Sequence, residues 1–352
     1  MIDVRIEDIA AAIRAIPELS PDRLVTYARL WQFETWLRQM VYVELRAKYA
    51  NDWSQDLKAK AAKPRNNDQA LTHMPSSEVL DSSFVTFGVL TATIADEWDL
   101  FKGFLPPETI WSARIEEVSQ IRNRIAHFRV GHEDDYQRVI QLMRDVDKGF
   151  FRFCTSINQP FHGLAAELDP VIQEFAPLNP YIKHGDVTNA RSGLYAHFSH
   201  GFEIRIDIVK RPWVTVPSDF NQVIGCPGFF YDLNVHEHDG REYNYDELLK
   251  STKGLHDWVL YISLGSMGNH FRVLIPSLLG KDTLIQVIDA FINAAANHSW
   301  QGRARSSLPS EYPADEIRQI QGVADKWPEY VIGPENPIAF LTPDMECSFF
   351  GV

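Results

Sequence analysis

Cysteine is scarce in this sequence, and so are the features of secretion or membrane insertion. The three cysteines, Cys154, Cys226 and Cys347, are far apart and lack CxxC spacing, which argues against a disulfide framework or a zinc ribbon. The N-terminus places acidic residues inside its first apolar stretch and lacks the basic segment and apolar core of a secretory signal. No apolar run approaches the length of a bilayer span. We therefore expect a cytoplasmic protein.

Positive charge is also limited. The formal net charge of −13 at pH 7 argues against broad, nonspecific binding to nucleic acid, which needs clustered lysine and arginine. The exception is the segment 121–129, which contains Arg122, Arg124 and Arg129 and no acidic residue. An RNA partner is therefore expected to meet a local site, and the acidic C-terminal half is a poor platform for nucleic acid.

The first half of the chain has helical periodicity. A length of 352 residues and an apolar fraction of 45% indicate two globular domains, because one hydrophobic core rarely grows so large. Four long helices are predicted at about 21–49, 82–101, 107–130 and 133–153, with Gly131 ending the third in a left-handed conformation. In the first of these predicted helices, apolar residues recur at Leu24, Ala28, Trp31, Leu37, Val41 and Leu45. The polar segment 58–69 contains Pro64 and predicts an exposed loop.

The second half changes to strand patterns. Four prolines between 160 and 180 mark a connecting segment. Period-two runs at 202–208, 258–262 and 271–275 predict strands, the last two as a hairpin, and 281–297 predicts a helix. We expect an all-α up-and-down helical bundle at 1–155, a linker at 156–180, and an α+β domain with a mainly antiparallel sheet at 181–352. The role of that domain as sensor, inhibitor or docking module stays open.

The segment 117–130, EVSQIRNRIAHFRV, concentrates the side chains of greatest chemical interest. Its apolar stripe recurs at helical spacing, at Val118, Ile121, Ile125 and Phe128. Asn123 and His127 are i and i+4 neighbours on the opposite face. Arg122 lies about 140° from His127, yet its long side chain can lean toward the same cleft. Spacing alone also fits the basic end of an ordinary solvated helix.

The residues RNRIAH at 122–127 resemble the Arg-Asn-x-x-x-His motif of the HEPN superfamily, all-α domains that include ribonuclease toxins and antiphage effectors. The resemblance covers residues 20–155, through the segments 26–53 and 82–127. It implies metal-independent endoribonuclease activity that leaves a 2′,3′-cyclic phosphate and a 5′-hydroxyl. His127 would act as general acid or base, Arg122 would hold the phosphate, and Asn123 would orient either of them. Arg124 and Arg129 are candidate RNA-backbone contacts, although solvated side chains fit them equally well.

The resemblance also implies a homodimer through the motif helix, because two HEPN protomers usually bring these helices together around one cleft. It implies a toxin or antiphage role, and no cofactor is expected. Some HEPN domains are not nucleases, so a noncatalytic interaction or regulatory module is the alternative. A protein partner or trigger would act at the C-terminal domain. There the acidic, aromatic stretch from Tyr231 to Asp246 fits either a partner surface or a solvated hairpin.

A metal site is a third possibility. His236 and His238 would point to one side of a strand that Asp239 follows, as neighbouring ligands do. No third ligand is identifiable from spacing, and a polar strand end that turns at Gly240 fits the same residues. The pair His197 and His200 precedes a strand and fits a loop-end role better than a site. We therefore assign no metal from the sequence.

Overall fold

The computed structural model describes residues 20–74, 81–127, 129–163, 169–175, 193–195, 202–217, 220, 222–237, 240–301 and 314–352. Within these ranges the chain packs as two compact units. The first takes in 20–41, 86–151 and 347–352, and the second takes in 42–85 and 152–346. The predicted division follows chain order, whereas residues 42–85 pack in the second unit and residues 347–352 in the first.

Helices build the N-terminal part of the chain, as predicted. They are α1 (Pro21–Tyr49), α2 (Gln55–Gln69), α3 (Phe87–Asp96), α4 (Trp98–Phe101), α5 (Glu108–Ala126) and α6 (Asp135–Ile157), with 3₁₀ turns at Ala50–Asp52 and Asp81–Phe84. α1 begins at Pro21, which suits a first helical position because its missing N–H would have no partner there. The second predicted helix is broken in two at Glu97, where the backbone leaves the helical region.

An aromatic cluster forms the core of the first unit. The ring of Phe33 on α1 packs against those of Phe87, Trp111, Phe150 and Phe350, with centroids 6.1 to 6.4 Å apart. The C-terminal segment is fixed beside it, because Asp147 accepts backbone N–H bonds of 3.1 and 2.8 Å from residues 349 and 350. α6 passes so close to residue 104 that a Cβ at position 149 would lie 1.6 Å from the Phe104 carbonyl oxygen, so only glycine fits.

Three local predictions in this part are wrong. Residues 58–69 lie in helix α2, not in a loop, because alanine and lysine favour the helix and Leu57 and Ala61 anchor it as buried i, i+4 neighbours. Trp31 is 65% exposed, since the buried stripe of α1 runs through Leu30, Phe33, Leu37 and Met40. Gly131 has no positive φ, and α5 ends earlier, at Ala126, where the Arg129 N–H turns back to the Arg124 carbonyl at 2.9 Å.

The second unit is built around a mainly antiparallel sheet, which confirms the predicted fold class. Its strands are β1 (Gly193–Tyr195), β2 (Phe202–Lys210), β3 (Phe229–Glu237), β5 (Tyr261–Leu264), β6 (His270–Pro276) and β8 (Val331–Ile332), and a separate ladder joins β4 (Arg241–Tyr243) to β7 (Ser299–Gln301). The sheet order is β1-β2-β3-β6-β5-β8, and its one parallel pair in the described residues is β5 with β8. The predicted hairpin joins β5 to β6 through Gly268, whose φ of +73° favours glycine.

Helices and 3₁₀ turns flank the sheet. They are α7 (Pro170–Phe175), α8 (Tyr245–Thr252), α9 (Lys281–Asn297), α10 (Ala314–Ala324) and α11 (Pro337–Phe340), with 3₁₀ turns at Lys253–Trp258 and Ser277–Leu279. α9 has the predicted limits and buries Leu284, Val287 and Phe291 in the core shared with the sheet. No helix among the described residues is both long and apolar enough to cross a membrane.

The acidic, aromatic stretch from Tyr231 to Asp246 was predicted to be either a partner surface or a solvated hairpin, and the structure shows neither. Tyr231, Asp232, Tyr243 and Tyr245 are buried, the first two on β3. β4 pairs with β7, so the stretch is not a hairpin of its own. The Asp232 carboxylate pairs with an arginine of β6, and a paired charge tolerates burial. The hydroxyls of Tyr231 and Tyr245 donate hydrogen bonds to Asp169 and to the His270 carbonyl, whereas Tyr243 is held by ring packing against Phe271.

Candidate active site

Helix α5 carries the motif residues and is anchored in the core of the first unit. Its buried side chains, Trp111, Ile115, Val118 and Ile121, follow helical spacing. Ile125 is half-buried, and Phe128 lies outside the described residues. His127 is the first residue beyond the helix, with φ −103° and ψ 16°, and its N–H still bonds the Asn123 carbonyl at 3.2 Å.

Asn123 and His127 are both exposed, on the side of α5 opposite the buried stripe. This is the face on which helical periodicity predicts them. Neither side chain hydrogen-bonds or pairs with another residue in the part of the chain that the structure describes. The imidazole and the amide are therefore accessible to a ligand or to another protein surface.

Arg122 lies on the flank of α5, where α1 approaches. Its Nε is 3.7 Å from Glu34 Oε2, and Glu34 Oε1 also accepts a 2.5 Å bond from Arg38. The Arg122 side chain is 33% exposed and that of Glu34 12%. Two guanidinium groups thus share one carboxylate, and the Arg122 contact is too long for a hydrogen bond. A phosphate oxygen can replace this contact at little cost in stability.

Arg124 is engaged inside the protein. Its guanidinium pairs with two oxygens of the buried Asp135, and the same carboxylate accepts the His132 N–H at 2.9 Å. This arrangement fixes the turn that follows His127 to the start of α6. Arg129 is exposed. A role of either arginine in RNA binding stays a prediction, and for Arg124 it competes with the Asp135 pair.

A cavity of about 280 Å³ lies on the α6 side of α5. Its lining consists of Glu117, Gln120, Ile121, Arg124, His132, Asp135 and Arg138. The charged groups here pair with one another, Arg138 with Glu117 and Arg124 with Asp135. The cavity therefore offers no free charge to bind an anion or a metal ion.

The histidines considered for a metal site lie on the sheet of the second unit. His236 Nε2 is 2.8 Å from Asn269 Nδ2, and its ring packs edge-on against His270 of β6 at 5.9 Å. His197, His200, His238 and Asp239 lie outside the described residues. No group of three or more potential ligand residues in the described part of the chain could hold a metal ion.

Sequence reasoning missed the residues that surround the motif. Glu34 on α1 and Asp135 on α6 contact the motif arginines, and Arg38 shares the Glu34 carboxylate with Arg122. Glu34 and Asp135 each lie more than ten positions from the motif arginine that they contact. The exposed rings of Tyr27 and Trp31 were also missed. The one available signal was their i, i+4 spacing.

Residues 29–148 match the family model described as Swt1-like HEPN. The match covers α5, the motif residues 122–127 and the part of α1 that carries Glu34 and Arg38. No curated protein and no solved structure matches the chain. The N-terminal helical region is therefore similar to Swt1-like HEPN domains, which confirms the predicted HEPN resemblance.

Proposed function

We propose that this protein is a metal-independent endoribonuclease whose active site forms when two copies bring their α5 helices together. The proposal is supported by one observation above all. The motif places an imidazole and an amide on an exposed face without partners among the described residues, and beside them a guanidinium that is only loosely paired. These are the groups that RNA transesterification needs.

In the proposed reaction the ribose 2′-oxygen forms a bond to its neighbouring phosphorus and the bond from phosphorus to the 5′-oxygen breaks. His127 takes the proton of the 2′-hydroxyl, since imidazole is suited to proton transfer near neutral pH. The leaving 5′-oxygen takes a proton from His127 of the second copy. Arg122 offsets the charge that develops on the phosphate, and Asn123 orients the imidazole or the phosphate. The products are a 2′,3′-cyclic phosphate and a 5′-hydroxyl.

HEPN-like proteins with this motif include toxins and antiphage effectors, so we propose a role of that kind. Cleavage of cellular RNA would then stop growth, and the second unit would sense a trigger, inhibit the nuclease or dock a partner.

Cleavage in the presence of EDTA tests the proposal. The purified protein is incubated with bulk RNA, and the 3′ ends are analysed for the cyclic phosphate. His127→Ala and Arg122→Ala should each lower the rate by about 10²- to 10⁴-fold, the range for general acid–base and charge-stabilising groups. His132→Ala and Arg144→Ala are matched controls, because both side chains are exposed in the same unit and lie outside the motif. Equal cleavage by all five proteins would refute the assignment.

A noncatalytic module is the second candidate, and one observation favours it. Glu34 already occupies the neighbourhood of Arg122, which suits a structural ion pair as well as a phosphate site. This function predicts a dimer that leaves RNA intact under every condition, whichever variant is tested. Loss of activity with EDTA, and its persistence in His127→Ala, would instead indicate a metal hydrolase.

A further inference from the structure

Two large aromatic side chains are exposed on α1. Tyr27 is 54% exposed and Trp31 is 65% exposed, and their i, i+4 spacing makes them neighbours on one face of the helix. Neither ring packs against another aromatic ring in the described residues. Burying a tyrosine or tryptophan is normally favourable, so a pair left open to solvent indicates a surface that meets a ligand.

This pair lies beside the motif. Helical periodicity places Arg23, Tyr27, Trp31, Glu34 and Arg38 within about 80° of one another, and we call this set the α1 strip. One contact and one close approach place the strip beside the motif segment. Glu34 meets Arg122 at 3.7 Å, and a Cβ at position 131 would lie 4.0 Å from Arg23 Nε.

These two positions indicate that α1 runs antiparallel to the motif segment, since residue 23 lies near residue 131 and residue 34 contacts residue 122. Tyr27 and Trp31 lie between the two positions along α1. His127 lies between them along the motif segment. The aromatic rings therefore flank the stretch of chain that carries the proposed general acid and base.

The charge around the rings is positive. Arg23, Arg38 and Arg122 bring three guanidinium groups to the strip and its contact with α5, whereas Glu34 brings one carboxylate. The Asp135 carboxylate also lies near Gly131, where it is paired with Arg124. The chain as a whole is strongly acidic, so this local excess of cations is unusual for the molecule. Arg23 has no ion-pair partner among the described residues.

Exposed aromatic rings next to guanidinium groups match the chemistry of single-stranded nucleic acid. Unpaired bases stack on aromatic side chains and the backbone phosphates meet cations, without a need for base-specific hydrogen bonds. In a duplex the base faces are already stacked on one another. We propose that Tyr27 and Trp31 are a stacking platform for unpaired nucleotides next to the scissile phosphate, so that the substrate is single-stranded RNA.

A second copy of the chain is a weaker match to the same surface. The core of a protein interface is depleted of charge, whereas these rings have arginines on both sides. The apolar area is also small. Val25 is exposed on α1 but about 160° away from Tyr27 around the helix, and only Val130 adds exposed apolar area near Arg23 in the described residues.

The inference rests on the proposed function, because it takes Arg122 and His127 as the cleavage site. A binding experiment separates the two. A 2′-O-methyl oligonucleotide has no free 2′-hydroxyl and cannot be cleaved, so its affinity is measured without catalysis. The full-length protein is titrated with this probe as a single strand and as a duplex.

Tyr27→Ala and Trp31→Ala should each weaken single-strand binding by about tenfold, and the double variant by about a hundredfold. Trp31→Phe keeps a stacking ring and should bind within about twofold of the wild type. Val25→Ala and Trp300→Ala are controls, being an exposed residue on another face of α1 and an exposed tryptophan of the second unit. Both should bind normally.

Three results would overturn the proposal. One is single-strand binding by the double variant that equals that of the wild type, and another is a wild-type preference for the duplex. The third is a change from dimer to monomer in the double variant by analytical ultracentrifugation, which would assign the strip to the interface between copies. If the wild type cleaves RNA and the double variant binds the single strand normally, the stacking platform is refuted and the proposed nuclease activity is not. If binding depends on Tyr27 and Trp31 but no RNA is cleaved, the proposed nuclease activity is refuted and the stacking platform is not.

Discussion

The two units use their ion pairs differently. In the second unit Arg211 and Glu44 are both fully buried and paired, and Arg272 holds Asp232 through two bonds of 2.6 and 2.8 Å. Around the motif of the first unit, Arg122 is one-third exposed and its contact to Glu34 is 3.7 Å long. A buried pair is strongly destabilising to break because the remaining charge is left without water. A long, partly exposed pair contributes less.

This difference separates charges that hold the fold from charges that are available to a ligand. Glu44 also accepts a 2.7 Å bond from the Trp213 indole N–H, so both of its oxygens are used. Asn123 and His127 have no such partners within the described residues. The substitutions that impair chemistry should therefore differ from those that impair folding, and each prediction below tests that separation.

The largest effect on stability is expected from breaking the buried pair. Glu44→Ala should lower the free energy of unfolding by about 3–5 kcal/mol, because it leaves the Arg211 guanidinium buried without its carboxylate. Glu34→Ala, the matched carboxylate near the motif, should cost at most about 1 kcal/mol. Urea denaturation followed by circular dichroism measures both. A similar loss of unfolding free energy in the two variants would show that the Glu44 and Glu34 ion pairs stabilise the fold equally.

Acid should weaken the second unit selectively. Burial lowers the pKa of His256 to about 4, with Lys253 adding to the effect and Asp257 opposing it. The folded state thus prefers the neutral ring, which hydrogen-bonds the Thr252 hydroxyl at 3.2 Å and packs on Trp327. Its contribution to stability is full above the unfolded pKa of about 6.5, and it declines as the pH falls from there toward 4.

His270 also makes the fold less stable as the pH falls, because burial and the neighbouring His236 and Arg272 lower its pKa to about 4. Each histidine adds a slope of up to about 1.4 kcal/mol per pH unit in this window. Urea midpoints measured between pH 7 and pH 4 should fall with pH, and less steeply in His256→Gln. An unchanged slope in that variant would contradict the assignment of His256 as a source of the pH dependence.

Local patterns in the sequence predicted the elements well and their partners poorly. The limits of α1 and α9 and the exposed face of Asn123 and His127 follow from caps and periodicity, which depend on neighbours along the chain. Trp31 is one of the apolar positions that recur at helical spacing in α1, yet it is exposed, because residue type does not show which of two apolar stripes is buried. The contact between Glu34 and Arg122 joins positions 88 residues apart, so no local pattern contains it.

The smallest expected effect concerns Glu34 as a modulator of the motif arginine. Glu34→Gln keeps the shape of the side chain but removes the charge that Arg122 and Arg38 share. The freed guanidinium should bind a phosphate more tightly, so the KM for RNA should fall by about two- to fivefold, the equivalent of a weak, partly exposed ion pair. The kcat should stay nearly constant, since the imidazole is untouched. A rise in KM would mean that Glu34 positions Arg122 instead of competing for it, and the loose pair would then belong to the catalytic geometry.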